Sequence, residues 1–529
     1  MKKSSLWVLT CVLFVAAVCV DTQNSLAATD QKSTPADSAR ERPNIVLILL
    51  DDLGYADVGF MPEAESDIHT PSIDELAKQG TVFSQAYVSH PYCGPSRAGL
   101  MTGRYQHEFG SQFNLAAYSE HGISTDEIFF SKVLQDAGYR TGLIGKWHLG
   151  EQPQYRPNVR GFDYFYGMLG GGHVYHSKDF IRQANYDPEN KQIWDYKIPL
   201  MENENYASES GYDDNLYITD MLTDAGLAFI DRESKNKAPF FLYMSYNAPH
   251  TPEEAKAEDE LALQNILGDR AAQGKRLTYT AMVYAVDRGV KRLVEKLKAT
   301  GAYENTLIVF LSDNGGRTNQ ASASNKPLRA GKTSLYEGGI RVPMFWHWPD
   351  GALHNGHYGH AISSLDFYPT FAALAEAEIP AGKRLDGVDV LPHIRAGTNA
   401  RADRPLFFMM HQPDRGLNQS AVVLNNQKWY SSGNGQWFYY DLKHDSSESN
   451  RKNAAKQAAK QDRQLVQALY DWTCLHSEPQ WFDSPSYGWE SAWKTKGLPD
   501  WQKTFPKLYR AKHCNDAPQV KLTTNKGGS

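Results

Sequence analysis

Short unbroken apolar runs alternate along this chain with stretches whose apolar residues recur at helical spacing. Pro43–Leu50, Pro239–Tyr246 and Thr306–Leu311 are such runs, and Tyr139–Gly145 is a less apolar one. Their pattern is that of parallel strands buried on both faces. Between them the helical period predicts helices over Thr70–Gly80, Ser131–Gly138, Tyr217–Ile230 and Leu277–Thr300; the first has a Thr cap, an acidic first turn and a closing Gly. Thr81–Val88 reads as a short strand. Residues 151–215 are rich in Gly, Tyr, Asn and Asp with little periodicity, which predicts long loops that shape a pocket. After about residue 395 the texture changes. Pro405–Met410, Gln419–Leu424, Lys428–Tyr430 and Gln436–Tyr440 resemble short antiparallel strands, and Ala454–Tyr470 a helix packed on them. The expected fold is therefore α/β: a large doubly wound, mostly parallel sheet with helices on both faces, plus a smaller C-terminal α+β subdomain with an antiparallel sheet.

Composition narrows the setting. The 529 residues suit one large core and a smaller unit, and a net charge of -6 argues against nucleic-acid binding. Lys2 and Lys3 precede an apolar run, Leu6–Val20, and Ser25-Leu26-Ala27-Ala28 offers a small-residue cleavage site. These mark residues 1–28 as a signal peptide and the product as secreted or periplasmic; the run is short for a membrane span, and nothing later is apolar enough to be a transmembrane segment. The expected division is then a disordered leader over 29–42, a main domain over 43–395 and the C-terminal subdomain over 396–529. Loss of the signal leaves Cys93, Cys474 and Cys514. The late pair either forms a disulfide or stays free, and Cys93 is left for chemistry.

Chemically capable residues follow the apolar runs: Asp51-Asp52, Lys146-Trp147-His148, Asn247-Ala248-Pro249-His250 and Ser312-Asp313-Asn314. Open α/β sheets bind ligands at the carboxyl ends of their strands. Asp51, Asp52, Asp313 and Asn314 are hard oxygen donors, which suit Ca²⁺ or Mg²⁺ rather than zinc. Each pair alone is also what a turn or helix cap uses. Both at strand ends favour a metal, because gathering three carboxylates without a cation costs on the order of several kcal/mol per unpaired charge. In Cys93-Gly94-Pro95-Ser96-Arg97, Pro95 fits a first helical turn and so puts Cys93 at a helix N-terminus, where free N–H groups favour an anion. Arg97, one turn on, faces the same way. Taken singly, Cys93 reads as a half-buried thiol, His148 as a core histidine and Lys332 as a surface lysine. His173 and His176, in a glycine-rich loop, are candidates for substrate contact, whereas Trp346 and Trp348 read as core or interface aromatics.

The pentapeptide with its continuation Ala98–Arg104 resembles the active-site signature of type I sulfatases, in the alkaline-phosphatase-like superfamily. The resemblance extends through Asp51–Tyr55, Gly145–Gly150, Ala248–His250, Ser312–Gly316 and Gly331–Gly339, and so over almost the whole mature chain. It implies that Cys93 is oxidised to Cα-formylglycine (3-oxoalanine) by a formylglycine-generating or anaerobic sulfatase-maturating enzyme, and that the hydrated aldehyde is the nucleophile. It further implies one Ca²⁺, with Mg²⁺ as second choice, bound by Asp51, Asp52, Asp313, Asn314 and the modified Cys93. Arg97 and Lys146 would steady the diol; His250 and Lys332 would bind the substrate sulfate, His250 protonating the leaving oxygen; His148 would take the proton that lets sulfate depart. The implied activity is hydrolysis of sulfate esters. Abundant aromatics (12%) and long loops suit a sulfated carbohydrate. Within that class algal, carrageenan-type oligosaccharides are the narrow expectation, with glycosaminoglycan sulfates and aryl sulfates beside them. The competing readings are a phosphate or phosphonate monoester hydrolase of the same fold and a non-catalytic binder of sulfated glycans. The sugar, the sulfated carbon and exo or endo action are set by loops that periodicity does not reveal.

Overall fold

Asn44–Leu50 lies at the centre of a ten-stranded sheet in the computed structural model of the protein, which describes residues 42–481 apart from 211–212, 319–321, 413–416, 433–435 and 454–459. The expected signal peptide and most of the leader, the start of the expected 454–470 helix, and Cys514 lie outside the described residues.

The sheet runs Gly356–Tyr358, Thr81–Phe83, Met344–His347, Thr306–Ser312, Asn44–Leu50, Phe240–Ser245, Arg140–Lys146, Tyr164–Met168, Met201–Glu202, Asn205–Tyr206. Its middle is parallel, from Thr306–Ser312 across to Tyr164–Met168, and the antiparallel pairs lie towards the two ends. The register sets Leu50 beside Ser312 and Leu49 beside Ser245, so those three strands finish level. Gly145 makes one close approach possible: a Cβ on it would stand 1.9 Å from the Ser245 carbonyl oxygen, and its φ of +113° suits glycine.

Alternation explains why the runs read as apolar throughout. Ile45, Leu47 and Leu49 pack on one face with Phe130, Val133 and Phe371; Val46, Ile48 and Leu50 pack on the other with Leu222, Phe229 and Met282. Each such buried side chain is worth about 1.5–3 kcal/mol relative to exposure. Helices Cys93–Thr102, Phe130–Asp136 and Phe367–Leu374 cover the first face, and Pro71–Lys78, Ile218–Glu233 and Lys275–Ala299 the second.

Two expectations are corrected locally. The single strand over 81–88 is two, Thr81–Phe83 in the main sheet and Ala86–Tyr87 paired with Ile362–Ser363, because the chain turns where Gln85 is buried to donate to the Gly359 carbonyl. Thr70 does not cap the helix that follows it. Asp287, from the long helix Lys275–Ala299, accepts the Ser72 and Ile73 N–H groups instead.

A five-stranded antiparallel sheet, Leu406–Gln412, Leu417–Leu424, Gln427–Ser431, Trp437–Asp441 and Lys452–Asn453, forms the C-terminal part. Val422 and Trp429 pack under helix Lys460–Thr473 through Leu465, Leu469 and Trp472, while Ala421, Val423 and Tyr430 pack against Leu335 and Ile340 of the main body. Cys474 is disulfide-bonded. Trp346 and Trp348 are core residues, as expected. No helix among the described residues is long and apolar enough to cross a membrane.

Candidate active site

Because the parallel strands finish level, their next residues meet at one edge. Asp51 and Asp52 follow Asn44–Leu50, Asp313 and Asn314 follow Thr306–Ser312, Lys146 ends its strand with His148 just beyond, and His250 follows Phe240–Ser245. Cys93 is the first residue of its helix, as Pro95 predicted. Asp52 and His148 hold left-handed backbone (φ 63° and 61°), as do Ala330 and Thr333 on either side of Lys332. Non-glycine residues are held there only where the surroundings over-determine them, a feature that clusters at functional sites.

The side chains form one buried, charge-balanced network. Lys146 Nζ donates to Asp51 Oδ2 (2.5 Å), and Cys93 Sγ lies 3.4 Å from Asp51 Oδ1. Lys332 Nζ bridges Asp52 (2.7 Å to Oδ1) and Cys93 Sγ (3.0 Å). Arg97 Nε donates to Asp313 Oδ2 (2.9 Å), and its Nη1 donates to Ser245 Oγ (2.6 Å) and the Lys146 carbonyl (3.2 Å). His250 Nε2 is 3.7 Å from Asp52 Oδ2. Three carboxylates thus face two lysines and an arginine, which offsets the cost of burying either set alone.

Burial and neighbours move these groups in different directions. Burial alone would raise Asp51, but Lys146, with His250, Arg97 and Lys332, holds its carboxyl well below the usual range. Burial is likewise overcome at Asp52, chiefly by Lys332. Asp313 goes the other way, to about 7, through burial and the nearby Asp51. The Cys93 thiol is pushed up to about 12 by burial and by Asp51 despite its place at a helix N-terminus. Burial lowers His250 to about 4, and burial with Lys146 lowers His148 well below its usual value, so both rings are neutral near pH 7.

The donor set fits a hard divalent cation. Ligand atoms of Asp51, Asp52, Cys93 and His250 lie within 4.8 Å of one another. Asn314 Nδ2 donates to Asp52 Oδ1 (2.7 Å), which leaves Asn314 Oδ1 buried and without a hydrogen-bond partner. A buried, unsatisfied amide oxygen beside two carboxylates is the arrangement a calcium ion would satisfy. His250 joins this group by position, whereas Asp313 divides its oxygens between Arg97 and the Asp52 N–H.

His173 and His176 of the glycine-rich loop stand outside the hydrogen-bonded cluster, and His173 is in the wall of a neighbouring cavity. His173 is buried, with its ring nitrogens each 2.8 Å from a backbone carbonyl, Val174 and Ile198, so it braces the loop. His176 packs on Tyr217. Neither shares a hydrogen bond or ion pair with the cluster among the described residues. Two neighbours escaped sequence reasoning. Ser245, the last residue of strand Phe240–Ser245, accepts from Arg97; its strand-end position was a usable signal. Tyr196, in an aperiodic loop, sets its ring 6.1 Å from that of His250, and nothing in the sequence marked it.

Comparison with known proteins agrees with this geometry. The sulfatase family profile matches residues 43–377, and a second profile, N-sulphoglucosamine sulphohydrolase, C-terminal, matches 330–473. The chain is 33% identical over 423 residues to the uncharacterized sulfatase YdeN of Escherichia coli (strain K12), covering 71% of this chain and 70% of that one. It is 32% identical over 424 residues to N-acetylgalactosamine-6-sulfatase of Mus musculus, covering 78% and 76%. Among solved structures it resembles Ps i-CgsB in complex with k-i-k-neocarrahexaose, with 44% identity, a TM-score of 0.79, and coverage of 88% of this chain and 99% of that one. The phosphonate monoester hydrolase of Agrobacterium radiobacter, at 20% identity and a TM-score of 0.56, shares the fold alone. With a profile spanning most of the main sheet, and with acidic strand ends gathered around a buried cysteine, the chain belongs to the sulfatase family, the hydrolases of sulfuric esters.

Proposed function

We propose that this sulfatase acts outside the cytoplasm on carrageenan-type oligosaccharides, with residue 93 matured to Cα-formylglycine and one Ca²⁺ held by Asp51, Asp52, Asp313 and Asn314. The observation that carries the substrate class is the 44% identity, over 88% of this chain, to a protein crystallised with a neocarrahexaose. Maturation of residue 93 is supported by the thiol itself. Pushed up to about 12, it stays protonated and is a weak nucleophile as it stands. The calcium ion, when bound, polarises sulfate and nucleophile oxygens.

The chain's own groups supply the rest. Lys332, between Asp52 and Cys93 Sγ, places a positive charge where sulfate oxygens arrive. Arg97 and Lys146 hold Asp313 and Asp51 in place against residue 93. The His250 ring has Nδ1 2.6 Å from the Thr251 carbonyl, so Nδ1–H donates there and Nε2 faces the cluster. A neutral ring accepts at Nε2; the negative charge of a bound sulfate ester favours its protonation, and the imidazolium then gives that proton to the departing sugar oxygen. His148 is neutral with Nδ1 buried without a partner, and its Cε1 would lie 3.7 Å from a Cβ on Gly94, next to residue 93, which supports a role as proton acceptor there.

The test is sulfate release, followed by ion chromatography, from carrageenan oligosaccharides, glycosaminoglycan disaccharides and an aryl sulfate, using protein co-produced with a maturating enzyme and a mass measurement of the residue-93 peptide. Release from the carrageenan members is the expected result. Release confined to glycosaminoglycan or aryl sulfates overturns the substrate class; an unmodified thiol in fully active protein overturns the maturation.

A further inference from the structure

Trp194 is one of the large apolar side chains left exposed, at 48%. Its indole is stacked on Tyr196, centroids 5.1 Å apart and planes 21° from parallel, and the Tyr196 ring in turn stands 6.1 Å from that of His250. Tyr196 is held from beneath by Gly172, where a Cβ would meet the ring at 2.7 Å. Three rings therefore lead in file from solvent to the catalytic cluster. An exposed aromatic face, fixed by a second ring under it, is the surface on which the apolar face of a sugar ring stacks.

Beside this file is a cavity of about 350 Å³ whose lining includes Glu151, Arg156, Gly170, His173, Lys191 and Asp195. It adjoins the catalytic cleft through the glycine loop. Gly170 is in its wall, and the next residue, Gly171, sits so close to His148 that a Cβ would lie 3.1 Å from Nε2. A Cβ on Gly170 would stand 3.5 Å from Glu151 Oε1 and 3.6 Å from Asp195 Oδ2, so the two carboxylates flank the space above it. Carboxylate oxygens accept hydrogen bonds from hydroxyl groups and repel a sulfate.

We propose that Trp194 and this cavity form a subsite for the sugar unit next to the one whose sulfate ester is cleaved, and that this neighbour presents free hydroxyls, not a sulfate, to Glu151 and Asp195. The subsite rests on the carbohydrate reading above and makes it more specific. Burial and Asp195 push the Glu151 carboxyl up to about 7, against the opposing pull of Lys191 and Arg156 in the same cavity wall.

The experiment uses the matured full-length enzyme, with KM and kcat measured for sulfated di-, tetra- and hexasaccharides of the carrageenan series and for 4-nitrophenyl sulfate. In Trp194→Ala, KM for the oligosaccharides rises about ten-fold, the loss of roughly 1.4 kcal/mol of stacking, while kcat and aryl sulfate turnover are unchanged. Trp194→Phe, which keeps a flat ring, restores most of the affinity. Wild type prefers oligosaccharides whose neighbouring unit is unsulfated, and Glu151→Gln/Asp195→Asn narrows that preference. Equal oligosaccharide KM in Trp194→Ala and wild type overturns the subsite, and a wild type indifferent to sulfate on the neighbour overturns the role of the two carboxylates. If wild type releases sulfate from 4-nitrophenyl sulfate but from no oligosaccharide, the substrate class itself falls, and the subsite with it.

Discussion

Arg97 is buried to 1% exposure with its guanidinium against Asp313 and 3.8 Å from Asp51. Burial opposes its charge, and Asp313 together with Tyr243, Asp51 and Cys93 overcomes it, so the group stays fully ionised. Asp313→Asn keeps the shape and removes the counter-charge; it is expected to destabilise the fold by about 3 kcal/mol and to lower kcat/KM about 100-fold. Urea unfolding read beside sulfate release checks both, and an unchanged unfolding midpoint would mean that Asp51 alone compensates Arg97. Cys93→Ala removes only a small buried sulfur. It should abolish sulfate release while shifting stability by about 1 kcal/mol, and wild-type turnover in that variant would place the nucleophile elsewhere. At this scale Asp51, Asp52, Lys146, His250, Asp313 and Asn314 were legible because each lies just at or after the end of an apolar run, where the chain must leave the sheet. The loop residues are the opposite case. In a loop without period, a histidine bonded to carbonyls looks the same in sequence as one that meets a ligand, and Tyr196 and Trp194 were silent there too.

Lys332 reaches the cluster from a loop that would not hold its shape alone. Ala330 and Thr333 both have positive φ, and the segment is gripped from outside: Thr333 N–H donates to the Pro91 carbonyl, Leu335 N–H to Gln419 Oε1 and Glu337 N–H to Glu448 Oε2. Gln419, Lys428 and Glu448 belong to the C-terminal part, and the Lys428 ammonium sits 2.9 Å from both Glu337 and Glu448 with all three side chains fully buried. The C-terminal sheet is thus a clamp on the loop that presents Lys332. Lys428→Met strands two buried carboxylates and should cost about 3–5 kcal/mol. Gln419→Ala leaves one N–H unsatisfied, a loss of about 1–3 kcal/mol; it should raise KM in wild type but add little in a Lys332→Met background, and equal effects in both backgrounds would deny the clamp. The strands of this sheet were readable from their alternation, but the clamp was not, since a lysine in a short polar-flanked strand reads as a solvated one. The long helix offers a second test. Asp287, raised to about 6 by burial from an ordinary 3.8, accepts the Ser72 and Ile73 N–H groups. Between about pH 4 and pH 6 the native state keeps a proton that the unfolded chain has lost, so this group makes stability fall as pH rises through that window and leaves it level above. Asp287→Asn still accepts both N–H groups and should remove that slope, gaining about 2 kcal/mol near pH 7 relative to pH 4, as urea unfolding at the two pH values would show.

Across the whole molecule, the site draws on segments far apart in sequence: parallel strands deliver Asp51-Asp52, His250 and Asp313-Asn314 to one edge, where the start of helix Cys93–Thr102 and the Lys332 loop meet them. That is also why the site was more legible than the topology. The strand order and the antiparallel margins depend on pairings the sequence does not display, but any right-handed doubly wound order brings the same strand ends together. The same arrangement couples cation binding to folding. Asp51, Asp52 and Asn314 belong to a single site only in the native chain, so a bound Ca²⁺ stabilises the folded state and has no equivalent to bind when it unfolds. At 100 times its dissociation constant the ion should add about 2.7 kcal/mol, seen as a rise in Tm on adding Ca²⁺ and a fall on adding a chelator. Asn314→Ala, which removes the unsatisfied amide oxygen while leaving the carboxylates, should flatten that dependence. Mg²⁺, which demands tighter octahedral geometry and holds its water, should give a smaller rise. A Tm indifferent to Ca²⁺ and to chelator, in protein shown to be metal-free at the start, would mean that Lys332, Lys146 and Arg97 already neutralise the cluster and that these oxygens hold no divalent ion.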